Sequence, residues 1–468
     1  MTLETIIKGG TVVTAADTFV ADIGIRGGRI VQIGDALDGA EEVIDASGLL
    51  VLPGGIDSHV HISQPQGPGV VMADDFESAT LSAAFGGVTT VIPFCLQQKG
   101  QSLRDAVTWY HGLSDGECYI DYAFHLIITD PTPQALNQDL PALVEDGYTS
   151  VKVFMTYEGM KLTDREILET LEAAKVSGAL PMVHAENDDA IEYLRDKAME
   201  RGDVAPKFHA TTRPVPVERE ATHRAISLAE IIDTPMVIVH VSNRDAMEEI
   251  RAGRARGGKI VGETCPQYLV LTADDLDTEG FDGAKWVCSP PPRDTAQQAA
   301  CWEGLESGVF DIFSSDHCPF RYEDSEGKKT PAGLKSFRYV PNGIPGVETS
   351  LPVLFTEGVS TGRLSLQQFV ALTATNHAKL YGLYPQKGTI ALGSDADLVL
   401  WDPDRAGTIT QDMLHHGADY TPYEGRPFKG YPVRTLVRGN TVVADGAVQG
   451  PKGAGGFLKR SRSYLTTA

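Results

Sequence analysis

Eight short apolar runs, separated by helical stretches, fill the middle of this 468-residue chain, and that alternation leaves few architectures open. The runs are Leu50-Val51-Leu52, Thr89-Thr90-Val91-Ile92, Tyr122-Ala123-Phe124-His125, Ser150-Val151-Lys152-Val153-Phe154, Pro181-Met182-Val183-His184, Met236-Val237-Ile238-Val239-His240, Lys259-Ile260-Val261-Gly262 and Phe310-Asp311-Ile312-Phe313-Ser314. Eight β/α units predict an α/β fold, a (β/α)8 TIM barrel, over residues 53–384. Thr163, three residues before Glu166, marks one helix start, because the two side chains can close two free backbone donors.

The ends of the chain have a different texture. Ile6-Ile7, Thr11-Val12-Val13, Ile23-Gly24-Ile25 and Ile30-Val31-Gln32-Ile33 are short β runs broken by glycine turns. The same pattern returns in Asp397-Leu398-Val399-Leu400-Trp401 and Val433-Arg434-Thr435-Leu436-Val437. Residues 1–52 and 385–468 are therefore expected to form a small antiparallel β-sandwich domain with a C-terminal arm. The Gly/Lys-rich stretch from Gly450 to Arg462 reads as that arm or as a disordered end.

Charge narrows the partners. A formal net charge of −23 would be repelled by nucleic acid and by anionic membrane, so neither is expected. No stretch approaches the ~20 apolar residues of a membrane helix. The N-terminus Met1-Thr2-Leu3-Glu4-Thr5 lacks the basic and apolar segments of a signal peptide. Six scattered cysteines with no CxxC pair read as reduced thiols, and the expected address is the cytoplasm.

The chemistry lies in polar groups placed where apolar strands end. In His59-Val60-His61, residues two apart on an extended segment face the same side, so both imidazoles can reach one ion. His184 and His240 each end a different apolar strand, a costly place for an unpartnered imidazole. Asp316 follows the last strand, and Lys152 lies within the fourth, flanked by Val151 and Val153. Burial would push an ammonium there toward its neutral form. These groups fall on strands one, four, five, six and eight, at the end of a barrel where active sites are built. A neutral lysine can take up carbon dioxide as a carbamate, an anion able to bridge two metal ions. Nitrogen and oxygen ligands of this mix suit Zn²⁺ best, with other divalent first-row ions compatible.

Four segments carry a family resemblance. They are Gly54-Gly55-Ile56-Asp57-Ser58-His59-Val60-His61, Ser150-Val151-Lys152-Val153-Phe154-Met155-Thr156-Tyr157, Ser314-Ser315-Asp316-His317-Cys318-Pro319-Phe320 and Pro341-Asn342-Gly343-Ile344-Pro345-Gly346-Val347-Glu348. Together they resemble the dihydropyrimidinase/D-hydantoinase branch of the amidohydrolase superfamily, and weaker similarity extends to Gly430-Tyr431-Pro432-Val433-Arg434. The resemblance implies an enzyme that hydrolyses the ring amide of cyclic ureides to N-carbamoyl amino acids with a hydroxide held between two metal ions. It implies that His59, His61 and Asp316 hold one ion, that His184 and His240 hold the other, and that carbamylated Lys152 (N6-carboxylysine) bridges both. It further implies proton transfer by Asp316, an oxyanion hydrogen bond from Tyr157, and a grip on the substrate by Tyr157, Ser289 and Asn342, the last two largely through backbone groups. A homotetramer or dimer goes with it.

Two loops depart from the family's usual form: Ile62 to Met72, more polar and slightly longer, and Glu158 to Leu162. The resemblance implies that both shape the pocket for the ring substituent, so reaction type should carry over better than substrate identity. A cyclic imide or allantoin is the alternative substrate. Dihydroorotase would show an arginine soon after the histidine pair, where this chain has Ile62-Ser63-Gln64, and allantoinase lacks the tyrosine at the Tyr157 position. Related metal-free scaffold proteins have lost metal ligands, whereas all six positions are intact here.

Overall fold

A computed structural model describes residues 2–467. Its centre is a barrel of parallel strands taken in chain order: Gly55–Val60, Val88–Leu96, His125–Ile127, Ser150–Phe154, Leu180–His184, Met236–Ile238, Ile260–Thr264 and Ile312–Phe313. Every residue of these strands is buried, as expected when helices cover the outer face and side chains fill the inner one. The ring closes where Val60 bridges His317 and the His61 N–H donates to the His317 carbonyl at 2.7 Å. Thr163 and Glu166 form a capping box that starts the helix Asp164–Ser177.

Both ends of the chain share one mixed nine-stranded sheet. Its N-terminal and C-terminal halves join where Leu50–Pro53 pairs antiparallel with Leu398–Trp401. This corrects the placing of Leu50-Val51-Leu52 as the first barrel strand. The backbone leaves the terminal sheet at Pro53, turns at Gly54, and enters the barrel as Gly55–Val60, so His59 lies within the first barrel strand rather than beyond it. No Cβ fits at Gly54, where it would stand 2.0 Å from the Thr89 hydroxyl. The expected all-antiparallel pairing also needs correction, because Leu3–Val13 pairs in parallel with Ala40–Asp45 and with Leu50–Pro53. Apolar patterning fixes which face is buried but not the direction of a neighbouring strand. The third apolar run divides into Asp121–Tyr122 and His125–Ile127.

The C-terminal stretch is an ordered arm. The Leu458 N–H donates to Tyr122 O at 2.7 Å and the Arg460 N–H to Gly147 O at 3.2 Å. The Arg460 guanidinium is buried and donates to Phe124 O and, at 2.9 Å, to Ser150 Oγ at the start of the fourth strand. The arm thus seals the end of the barrel opposite the site. Among the described residues no helix is long and apolar enough to cross a membrane.

A buried ion cluster ties the terminal sheet to the barrel. The Lys387 ammonium lies 2.7 Å from Asp121 and 3.1 Å from Asp395 and also contacts Asp397, while Arg438 contacts Asp121. These carboxylates hold the lysine well above its usual range against the opposing effect of burial. Removing the cation would leave buried carboxylates without it. Lys387→Met is therefore expected to lower stability by about 3–5 kcal/mol, read as a reduced urea midpoint. An unchanged midpoint would show that the cluster adds nothing.

Candidate metal centre

One cavity of about 260 Å³ at the carboxyl end of the barrel strands is lined by all nine residues singled out from the sequence. His59, His61, Lys152, His184, His240 and Asp316 form its floor, and Tyr157, Ser289 and Asn342 border it.

The imidazoles converge in two pairs. His59 Nε2 and His61 Nε2 lie 3.2 and 3.4 Å from the same oxygen of Asp316. These three residues place ligand atoms within 4.8 Å of one another. On the other side, His184 Nδ1 and His240 Nε2 are 2.8 Å apart. The far nitrogens of three rings are anchored. His59 Nδ1 contacts Glu263 at 2.6 Å, His61 Nδ1 contacts Gln64 Oε1 at 2.7 Å, and His184 Nε2 contacts Glu186 at 2.7 Å. Anchoring one nitrogen fixes the tautomer and aims the other, the arrangement metal-binding histidines need. Burial holds His59, His184 and His240 below the usual imidazole range, which keeps them neutral.

Lys152 lines the same cavity as both pairs. Its amine is buried, has no hydrogen-bond partner, and sits 4.6 Å from the centre of the Phe94 ring. Burial pulls it down to about 8, against the opposing pull of Glu263 and Asp316. For Asp316, burial raises the carboxyl, but His59 and His61 outweigh it and hold it below the ordinary value. A partnerless buried amine facing four imidazoles and a carboxylate fits two cations and an anionic bridge. As an isolated structural lysine it would leave a polar atom unsatisfied.

Three of the site residues carry backbone strain. Tyr157, His240 and Asp316 adopt left-handed conformations with φ of 77°, 42° and 51°. Such conformations cost of order 1 kcal/mol or more and persist where surrounding contacts enforce them. Asp188 enforces one of them by accepting from the Thr156 hydroxyl at 2.9 Å and from the Tyr157 N–H at 3.2 Å. The buried Arg213 guanidinium packs 5.5 Å from the Tyr157 ring centre and bonds Glu186, which also holds His184. Burial pushes the Tyr157 phenol up to about 12, so it stays a hydrogen-bond donor at neutral pH.

Four supporting residues escaped the sequence reading. Glu263 accepts from His59 Nδ1, from the His240 N–H at 3.0 Å and from the Ser314 hydroxyl at 2.9 Å, linking three segments of the site. Its signal was available, because it is an acid ending the apolar run Ile260-Val261-Gly262, the anomaly that singled out Lys152. Glu186 and Arg213 lie outside the strands and become neighbours only in three dimensions. Gln64 stands in the polar loop after His61, which was read as shaping a pocket; its side chain orients a histidine.

Comparison with known proteins agrees with this geometry. The Amidohydrolase family model matches residues 50–442. A D-hydantoinase of Ralstonia pickettii is 46% identical over 461 residues, covering 98% of this chain and 99% of that protein. A solved D-hydantoinase structure superposes with a TM-score of 0.96 at 46% identity, covering 98% of this chain and 99% of its own. The dihydropyrimidinase of Brevibacillus agri does so at 0.95 and 44%, with the same coverage.

Gln64→Leu removes the acceptor that aims His61. It is expected to weaken metal binding about 10- to 100-fold, measured by competition with a chelator. Unchanged affinity would show that His61 needs no such support.

Proposed function

The chain belongs to the amidohydrolase family, in its hydantoinase and dihydropyrimidinase branch, and on that premise we propose that it opens the ring of hydantoins and dihydropyrimidines with water to give N-carbamoyl amino acids. The observation that carries this reading is the unpartnered Lys152 amine, set among His59, His61, His184, His240 and Asp316 in a cavity that Tyr157 also lines. In this reading His59, His61 and Asp316 would hold one divalent ion and His184 and His240 the other. Lys152, whose neutral form burial makes accessible, would add carbon dioxide at Nζ with loss of one proton, and the resulting carbamate would supply a further anionic ligand. Zinc is the metal the donor set favours. When bound, such ions polarise a carbonyl and bring the pKa of water near 7.

The protein's own groups do the rest. Ser289 and Asn342 hold the amide edge of the ring through their backbone. Tyr157 Oη donates to the carbonyl oxygen as it gains negative charge, a role suited to a phenol kept protonated by burial. Asp316, held as a carboxylate by His59 and His61, takes a proton from the attacking water. The water oxygen bonds the carbonyl carbon, the ring C–N bond breaks, and Asp316 returns the proton to the leaving nitrogen. A homotetramer or dimer acting in the cytoplasm belongs to the same proposal.

Zinc-loaded protein assayed against hydantoin, 5-substituted hydantoins, dihydrouracil, allantoin, dihydroorotate and succinimide is expected to turn over the hydantoins and dihydrouracil. Lys152→Ala should abolish that activity and tight metal retention together, and short carboxylic acids should restore part of it. Turnover confined to allantoin or succinimide would replace the substrate assignment, and turnover surviving complete chelation would refute the mechanism.

Tyr157→Phe is expected to lower kcat by roughly 10²- to 10³-fold, the effect of losing one oxyanion donor, with metal content unchanged. A wild-type kcat would remove Tyr157 from the chemistry.

A further inference from the structure

Besides Lys152 and Lys387 a third lysine is buried, and it has no place in the chemistry above. Lys328 lies in the polar stretch Arg321 to Lys329, yet its side chain is fully buried. No carboxylate pairs with it among the described residues. Its Nζ donates instead to two backbone carbonyls, Val287 O at 2.9 Å and Pro341 O at 2.6 Å, with the Phe320 ring centre 5.6 Å away. Burial brings the amine down to about 7, and in either protonation state it has at least two N–H groups for the two carbonyls.

Those carbonyls lie at informative positions. Val287 stands two residues before Ser289, and Pro341 immediately precedes Asn342. The two segments already touch, since the Gly343 N–H donates to Val287 O at 3.0 Å. The second segment is also pressed against Cys318, because a Cβ at Gly343 (φ 145°) would come within 2.6 Å of the Cys318 side chain. Ser289, Pro341, Asn342 and Gly343 all face the cavity.

We infer that Lys328 is a positioning residue for the ring-opening reaction, its amine clasping the two backbone segments that carry Ser289 and Asn342 and fixing the spacing at which they receive the ring. The inference rests on the reading of those two residues as the substrate's backbone clamp. The amine touches neither substrate nor metal ligand, and it acts through Val287 O and Pro341 O. Without it Pro341 O loses a buried donor, and the two segments can part by the few tenths of an ångström that misplace a hydrogen bond to the ring.

The test is Lys328→Met in the full-length, zinc-loaded protein, which keeps an unbranched side chain and removes the donors. KM for hydantoin should rise about tenfold, with kcat within about threefold and the metal content of wild type. A KM within about threefold of wild type, even with a lower melting temperature, would show a brace without influence on the clamp and overturn the inference. Loss of metal would overturn it too. If the methionine variant does not fold, Lys328→Gln, polar but too short to reach both carbonyls, is held to the same criteria. A wild type that opens no cyclic ureide would overturn the proposed function and this inference together. A wild-type enzyme active on hydantoin beside an unaltered KM in the variant would overturn the inference alone.

Discussion

An amine without a partner, enclosed in the core of a barrel, is the constraint on which the rest of this structure depends. Burial favours the neutral form of Lys152, and no hydrogen bond offsets the loss of water. Its neighbours in the cavity are four imidazoles and a carboxylate. Four imidazoles turn nitrogens toward the space around it, three of them with the opposite nitrogen anchored by Glu263, Gln64 or Glu186. The two imidazole pairs are themselves joined, since the His59 and His240 ring centres lie 5.3 Å apart and Glu263 bonds both residues.

Glu263 shows how far that arrangement reaches. One carboxylate on the seventh strand fixes a ring on the first, the backbone beyond the sixth and a hydroxyl beyond the eighth. Glu186 connects His184 to Arg213, whose guanidinium packs on Tyr157, so the group suited to polarise the carbonyl and a group suited to hold metal share a support. The left-handed backbone at Tyr157, His240 and Asp316 places the same three side chains where regular strands would not.

Much of this was legible in the sequence. Strand-end polar residues stand out because apolar runs give them nowhere to be solvated, and His59, His61, Lys152, His184, His240 and Asp316 do meet in one cavity. The barrel followed from the strand and helix alternation. What the sequence hid has physical reasons. Leu50-Val51-Leu52 carries the same apolar signature whether it pairs with Leu398–Trp401 or with a barrel strand, so composition could not assign it. Gln64, Glu186, Arg213 and Lys328 are polar residues in polar stretches, and their burial is decided by segments distant in sequence. Nor did the tail's glycines and lysines reveal that Arg460 would be inserted between Phe124 and Ser150.

The proposed ligands come from barrel strands one, four, five, six and eight or the residues just beyond them, so the unfolded chain has no counterpart of this centre. Any ion held there binds the native state almost alone, and by mass action its free energy of binding adds to the free energy of folding. Chelation and denaturation are then linked equilibria. Depleting the ion draws down the native population, and loosening the barrel anywhere along its circumference releases the ion.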